Sequence, residues 1–150
     1  TGSLDLALVA LQLHPGSAQV QAAGAALLGR FALLPRPPEV ATAAALTSAS
    51  LGLVLAAMHE HSGAVEVQAC ACACVGAFAL RGTAESRQTL RQTMALDFLV
   101  AALKNHPSST AVQERGASAL RSVATGAGAE PTRAKAVRLG AVPLLVAALH

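Results

Sequence analysis

Apolar residues along this chain recur with the period of an α-helix in three well-separated places. Val20, Gly24, Leu27, Leu28 and Phe31 fall at i, i+4, i+7, i+8 and i+11, one face at 3.6 residues per turn. The same spacing returns at Val67, Ala71, Cys74, Val75 and Phe78, and again at Val112, Gly116, Ala119, Leu120 and Val123. The stripes belong to three similar segments: HPGSAQVQAAGAALLGRFA (14–32), HSGAVEVQACACACVGAFA (61–79) and HPSSTAVQERGASALRSVA (106–124). Each begins with His, a chain-breaking Pro or Ser-Gly and a polar turn, then enters a helix at Val-Gln. The three Val residues stand 47 and 45 apart, so the chain is an internal repeat.

A second helix keeps the same register. LDLALVAL (4–11), LGLVLAAM (51–58), LDFLVAAL (96–103) and VPLLVAAL (142–149) precede the His-containing breaks. A shorter first helix fits between units, at Glu39–Thr47, Ala84–Thr93 and Pro131–Leu139, behind the breaker-rich stretches PRPPE, RGT and TGAGAEP. The units then run over 3–47, 48–93 and 94–139, with a partial fourth at 140–150. Gly24, Ala71 and Gly116 share one point on the long third helix. A Gly there costs about 1 kcal/mol of helix propensity against Ala. Close approach of another helix backbone is the compensation expected.

Three helices per unit of about 46 residues, with GAVPLLVAAL (140–149) opening a second helix, resemble the armadillo repeat family over essentially the whole chain. The resemblance implies an all-α, right-handed α-solenoid, about three repeats plus part of a fourth, whose third helices line a concave groove that binds proteins or peptides. In importin-α-like and β-catenin-like members that groove carries a Trp and, four residues on, an Asn that clamps an extended ligand's backbone. The Trp positions map here to Ala26, Ala73 and Ser118, and the Asn positions to Arg30, Ala77 and Ser122. Neither residue type is present at any of them, which argues against recognition of nuclear signals by a repeated clamp. Helical spacing turns Gln19, Ala23, Ala26 and Arg30 to the groove, then Glu66, Cys70, Ala73 and Ala77, then Ala111, Arg115, Ser118 and Ser122. Such a shallow channel suits a bulky occupant, for example the apolar face of a partner helix.

Composition is compatible with this picture. With 53% apolar and 13% charged residues the chain has a core to build, and with no Trp or Tyr and three Phe it builds it from Leu, Val and Ala. Val40–His59 lacks Asp, Glu, Lys and Arg, and its length matches a membrane span. However, it is Ala-rich, holds four Ser and Thr, and is split by the Ser48-Ala49-Ser50 corner into two helices, so no membrane association is expected. Residues 1–75 carry a net −2 and residues 76–150 a net +5. No basic run and no interleaved aromatics accompany that excess, which argues against nucleic acid as a partner.

Candidate chemistry thins out on inspection. Cys70 and Cys74 lie about 40° apart on a helix, and Cys72 roughly 160° from either, so the three cannot serve one tetrahedral ion. They read as small buried hydrophobes, and three free thiols suit a reducing, cytoplasmic compartment, with the nucleus an alternative. His14, His61 and His106 recur on units about 10 Å apart, too far to share a metal, and are expected to serve helix C-terminal carbonyls. No phosphate-binding loop, nucleophile elbow or zinc-protease motif is present, so no catalytic residue, metal or cofactor is assigned and no small-molecule substrate is expected. The function expected is a non-catalytic scaffold binding a protein or peptide at Gln19, Arg30, Glu66, Arg115, Ser118 and Ser122. The alternatives are a regulatory segment of a multidomain enzyme and a spacer in a cytoskeletal or ciliary assembly. Polar capping repeats are not evident at either end, so contacts with further repeats or another chain are expected there.

Overall fold

The structure, a computed structural model, describes residues 2–33, 48–81, 84–92, 94–125 and 130–148. Nine helices occur among them: α1 (Gly2–Leu13), α2 (Ala18–Ala32), α3 (Ser48–Glu60), α4 (Val65–Arg81), α5 (Ala84–Gln92), α6 (Ala95–Asn105), α7 (Thr110–Val123), α8 (Glu130–Arg138) and α9 (Ala141–Ala148). No strand occurs among the described residues, so the chain is all-α as its periodicity predicts. The first helix expected at Glu39–Thr47 lies outside the described residues, as does the PRPPE stretch. The Ser48 corner is the start of α3. No helix of the described residues is long and apolar enough to cross a membrane.

One corner recurs three times. The backbone N–H of Ser17, Ala64 and Ser109 donates to the carbonyl of His14, His61 and His106, at 3.0–3.2 Å. Ser17 and Ser109 then cap the following helix, each Oγ accepting from the N–H three residues on, that of Val20 or Val112. Ala64 stands at this position in the second unit, so that corner keeps its backbone turn without the hydroxyl cap. The Gln of each Val-Gln pair turns back across the corner. Gln21 Nε2 donates to the carbonyls of Leu11 and His14, Gln68 Nε2 to those of Met58 and His61, and Gln113 Nε2 to those of Leu103 and His106, all at 2.9–3.0 Å. Carbonyls at the end of a helix have no intrahelical donor; at each corner the amide answers one of them and shares the His carbonyl with the backbone N–H of the turn.

The histidines were expected in that role and take another. His61 Nε2 lies 2.7 Å from the carbonyl of Pro15, and His106 Nε2 lies 2.7 Å from that of Ser62. A carbonyl only accepts, so Nε2 carries the proton in both rings. Each imidazole therefore donates from its own corner to the corner of the preceding unit. His14, at the same phase, is exposed.

The long helices α2, α4 and α7 stack side by side in that order and make the most extensive helix contacts in the chain. The predicted stripe is buried at all five positions in α4 and α7, while Val20, Leu27 and Phe31 of α2 are half-buried, because a described long helix lies on one side of α2 only. One continuous core runs from Leu11 through Leu28, Val54, Val75, Phe78 and Leu103 to Leu120 and Ala141.

Gly24 and Gly116 are buried, but the close neighbour is not a backbone. A Cβ at Gly24 would sit 2.6 Å from Leu11 Cδ2, and one at Gly116 2.8 Å from Leu103 Cδ2, both leucines of the second helix in the same unit. Backbone approaches backbone one turn further on. A Cβ at Gly29 would lie 3.2 Å from Cys74 Cα, and one at Gly76 3.3 Å from Ala119 Cα. Around these glycines the stacking face is small throughout: Ala22, Ala25 and Ala32 on α2, and Ala69, Cys72 and Ala79 on α4, all buried. The matching positions on α7 are Glu114, Ala117, Arg121 and Ala124, and they line a cleft of ≈ 500 Å³ beside α8 and α9.

The two kinds of glycine respond oppositely to added atoms. Gly76→Val forces α4 away from α7 and is expected to destabilise by about 1–3 kcal/mol. Gly52, in α3 with nothing within 4 Å of an added Cβ, is expected to gain about 0.5–1 kcal/mol as Gly52→Ala. Urea unfolding followed by circular dichroism measures both; a neutral Gly76→Val would contradict the close stacking.

Candidate functional site

The stack leaves a groove between α4 and α7, with the end of α2 at its margin. Its floor is made of Ala73, Gly76, Ala77 and Ala119, and the open volume above them is ≈ 280 Å³. The floor is shallow because helices close enough to meet at Gly76 carry only small side chains along the line of contact. Arg115, Ser118 and Ser122 of α7 form one wall, and Leu33 and Leu80 close the end where α2 and α4 terminate.

Of the six residues expected to bind a partner, the structure brings three around this groove: Arg115, Ser118 and Ser122. Glu66 lies on the same side at the start of α4 and is exposed; its charge and the Arg115 guanidinium both act on the Cys70 thiol between them. Gln19 and Arg30 are exposed on α2 as the spacing predicts, but neither lines the groove between α4 and α7. Ala77 differs from expectation: it is buried at the bottom of the channel and only its margin faces outward.

Leu33 and Leu80 were not among the expected residues. They are 49% and 59% exposed, large apolar side chains held in water at the end of a groove floored with alanine. A signal for them exists in the sequence, since each follows a Phe of the buried stripe by two residues, Phe31-Ala-Leu33 and Phe78-Ala-Leu80. The third unit breaks that pattern with Thr125 after Val123.

The cysteines owe their burial to the position of α4 in the middle of the row. Cys74 faces α2, where its Cα meets Gly29, and Cys72 faces α7, where its Sγ lies 3.8 Å from a Cβ placed at Gly116. Two thiols roughly 160° apart on one helix are thus both fully buried, while Cys70 is half-buried at the groove edge. Burial pushes the Cys72 thiol up to about 12 and raises that of Cys74 further, since neither site solvates a thiolate. Burial also raises Cys70, the nearby Arg115 guanidinium opposing it and Glu66 reinforcing it. No group of three His, Cys, Asp or Glu side chains among the described residues is arranged to hold a metal ion.

The groove offers van der Waals surface, two hydroxyls, one guanidinium and two exposed leucines, a set suited to holding a segment of another molecule. Comparison of the chain with models of known protein families, with curated proteins and with solved structures gave no match in any of the three.

Thiol burial sets a pH dependence. A thiol that ionises near 9 in the unfolded chain and near 12 in the fold stabilises the folded state fully below pH 9 and loses that contribution as pH rises above it. Stability is therefore expected to be level between pH 7 and 8 and to fall steadily above 9, the fall being smaller in Cys72→Ala. Maleimide at pH 7.5 is expected to label Cys70 alone in the folded protein and all three thiols in denaturant. Rapid triple labelling without denaturant would contradict the burial.

Proposed function

We propose that the chain is an armadillo-type α-solenoid that serves as a non-catalytic scaffold, binding a segment of a partner protein along the groove between its third helices. The observation that supports this most directly is the pair of exposed leucines, Leu33 and Leu80, at the end of a channel with a small-residue floor. An apolar ridge meets an apolar end and a flat floor, and a partner's basic or acidic flank is read by Glu66 and Arg115 on either side. An amphipathic helix fits this shape: its large side chains fill the space that Ala73 and Ala77 leave. The missing Trp and Asn positions favour such side-chain docking over a backbone clamp. Three unpaired cysteines suit the reducing cytoplasm as the working compartment.

Leu80→Asp and Arg115→Glu each change the groove without touching the buried core. Partners retained by the wild-type protein in pull-down are expected to be lost from either variant, with at least a tenfold weaker affinity. The exposed substitution Gln12→Glu is expected to retain them. Unchanged retention by both groove variants would remove the groove from the interaction.

A further inference from the structure

A separate recess of ≈ 370 Å³ is lined by residues of the end of α5, the start of α6 and α8, and it shares no residue with the groove. Leu90 and Leu96, both buried, form its base, and the buried Thr132 stands at its side. Three cations border it: Arg91 from the last turn of α5, with Lys135 and Arg138 one turn apart on α8. Among the described ion pairs one reaches this recess, Lys135 Nζ at 2.8 Å from Asp97 Oδ2. The carboxylate of Glu130, at the start of α8, is engaged by Arg133 at 3.2 Å. Neither Arg91 nor Arg138 has a carboxylate partner among the described residues, so the lining carries two uncompensated guanidinium groups beside a neutralised Lys–Asp pair.

Two guanidinium groups bordering one small concavity repel each other, and an anion between them relieves that repulsion. Guanidinium presents a planar fork of donors that matches the oxygens of a phosphate, and a phosphomonoester carries about −1.5 to −2 near neutral pH, the charge that two arginines balance. A recess of ≈ 370 Å³ is larger than a phosphate group, and its leucine base gives the attached carbon atoms an apolar surface. We propose that this recess binds a phosphomonoester, held by Arg91 and Arg138, with Thr132 adding a hydroxyl and the Lys135–Asp97 pair closing the side of the site. The positive excess of residues 76–150 then has a local use at one place. The site is independent of the groove, and neither reading requires the other.

The chemistry has two sources, a free phosphate ligand and a phosphorylated side chain of another protein, and calorimetric titration of the full chain separates them. One arm uses inorganic phosphate; the other uses a blocked alanine pentapeptide with a central phosphoserine, beside its unphosphorylated twin. Saturable binding of either phosphate-bearing probe, and none of the twin, is expected. Comparable affinity in the two arms assigns a free ligand, and a peptide at least tenfold tighter assigns a phosphorylated partner. The double variant Arg91→Ala/Arg138→Ala is expected to weaken binding at least tenfold. Arg91→Lys/Arg138→Lys, which keeps the charge but loses the fork, is expected to fall between. Arg115→Glu, in the groove, leaves it unchanged. Circular dichroism establishes that each variant is folded. No saturation with either probe by about 10 mM, or undiminished binding by the double alanine variant, overturns the proposal.

Discussion

A single carboxamide per unit holds the architecture together. Gln21, Gln68 and Gln113 each stand one residue past the buried or half-buried Val that opens a long helix, and each donates twice into the end of the helix before it. The bonds tie the last carbonyls of the second helix to the first turn of the third, which sets the angle between them. With that angle set, Leu11 and Leu103 come down onto Gly24 and Gly116. An unmet buried carbonyl costs about 1–3 kcal/mol; the His carbonyl keeps its backbone donor, so loss of one such amide leaves the carbonyl of Leu11, Met58 or Leu103 to find water in a corner built to exclude it. The apolar packing supplies the bulk of the free energy, and the amide decides which packing is available.

Register between units comes from two devices, one at the corners and one along the long helices. At the corners, the imidazoles of His61 and His106 reach the preceding corner through Nε2. Along the helices, Gly29 against Cys74 and Gly76 against Ala119 disfavour a slipped alignment, because a side chain in place of either glycine pushes the facing backbone away. Stacked helices this close cannot carry large residues on the surfaces beside the contact. The shallow floor of the groove is therefore a by-product of how the units join, and its larger side chains stand at the margins, at Leu33, Leu80 and Arg115.

Much of this was legible before any coordinates. The i, i+4, i+7, i+8, i+11 pattern locates the long helices and their buried positions, since a repeated stripe averages out the ambiguity of any one copy. What a single helix cannot reveal is how many neighbours it has. Cys72 sits far from the main stripe of α4 and is nonetheless buried, because α7 covers the side that the stripe leaves open. For the same reason Gly24 and Gly116 stood out as the sites of backbone approach when Gly29 and Gly76 fill that role: one-letter pattern shows where space is small, not whose atoms use it. On similar grounds the part expected of the corner histidines, serving the carbonyls of the helix just ended, falls to the glutamines. Both lie within reach of helix-terminal carbonyls in sequence, and only the fold of the corner turns the amide inward and the imidazole sideways.

The outer side of α7 carries a consequence for self-association. Arg121 stands where α2 and α4 have glycine, and Glu114 stands where they have alanine. Were a second molecule to add its α2 there in the alignment that joins α2 to α4, its Leu27 would land on the Arg121 side chain, a desolvated cation facing a methyl group. The outer side of α7 is thus ill-matched to α2, like a plug and a socket cut to different gauges. A helix carrying a large apolar residue at that position is thereby kept from stacking on α7 in the alignment that joins α2 to α4.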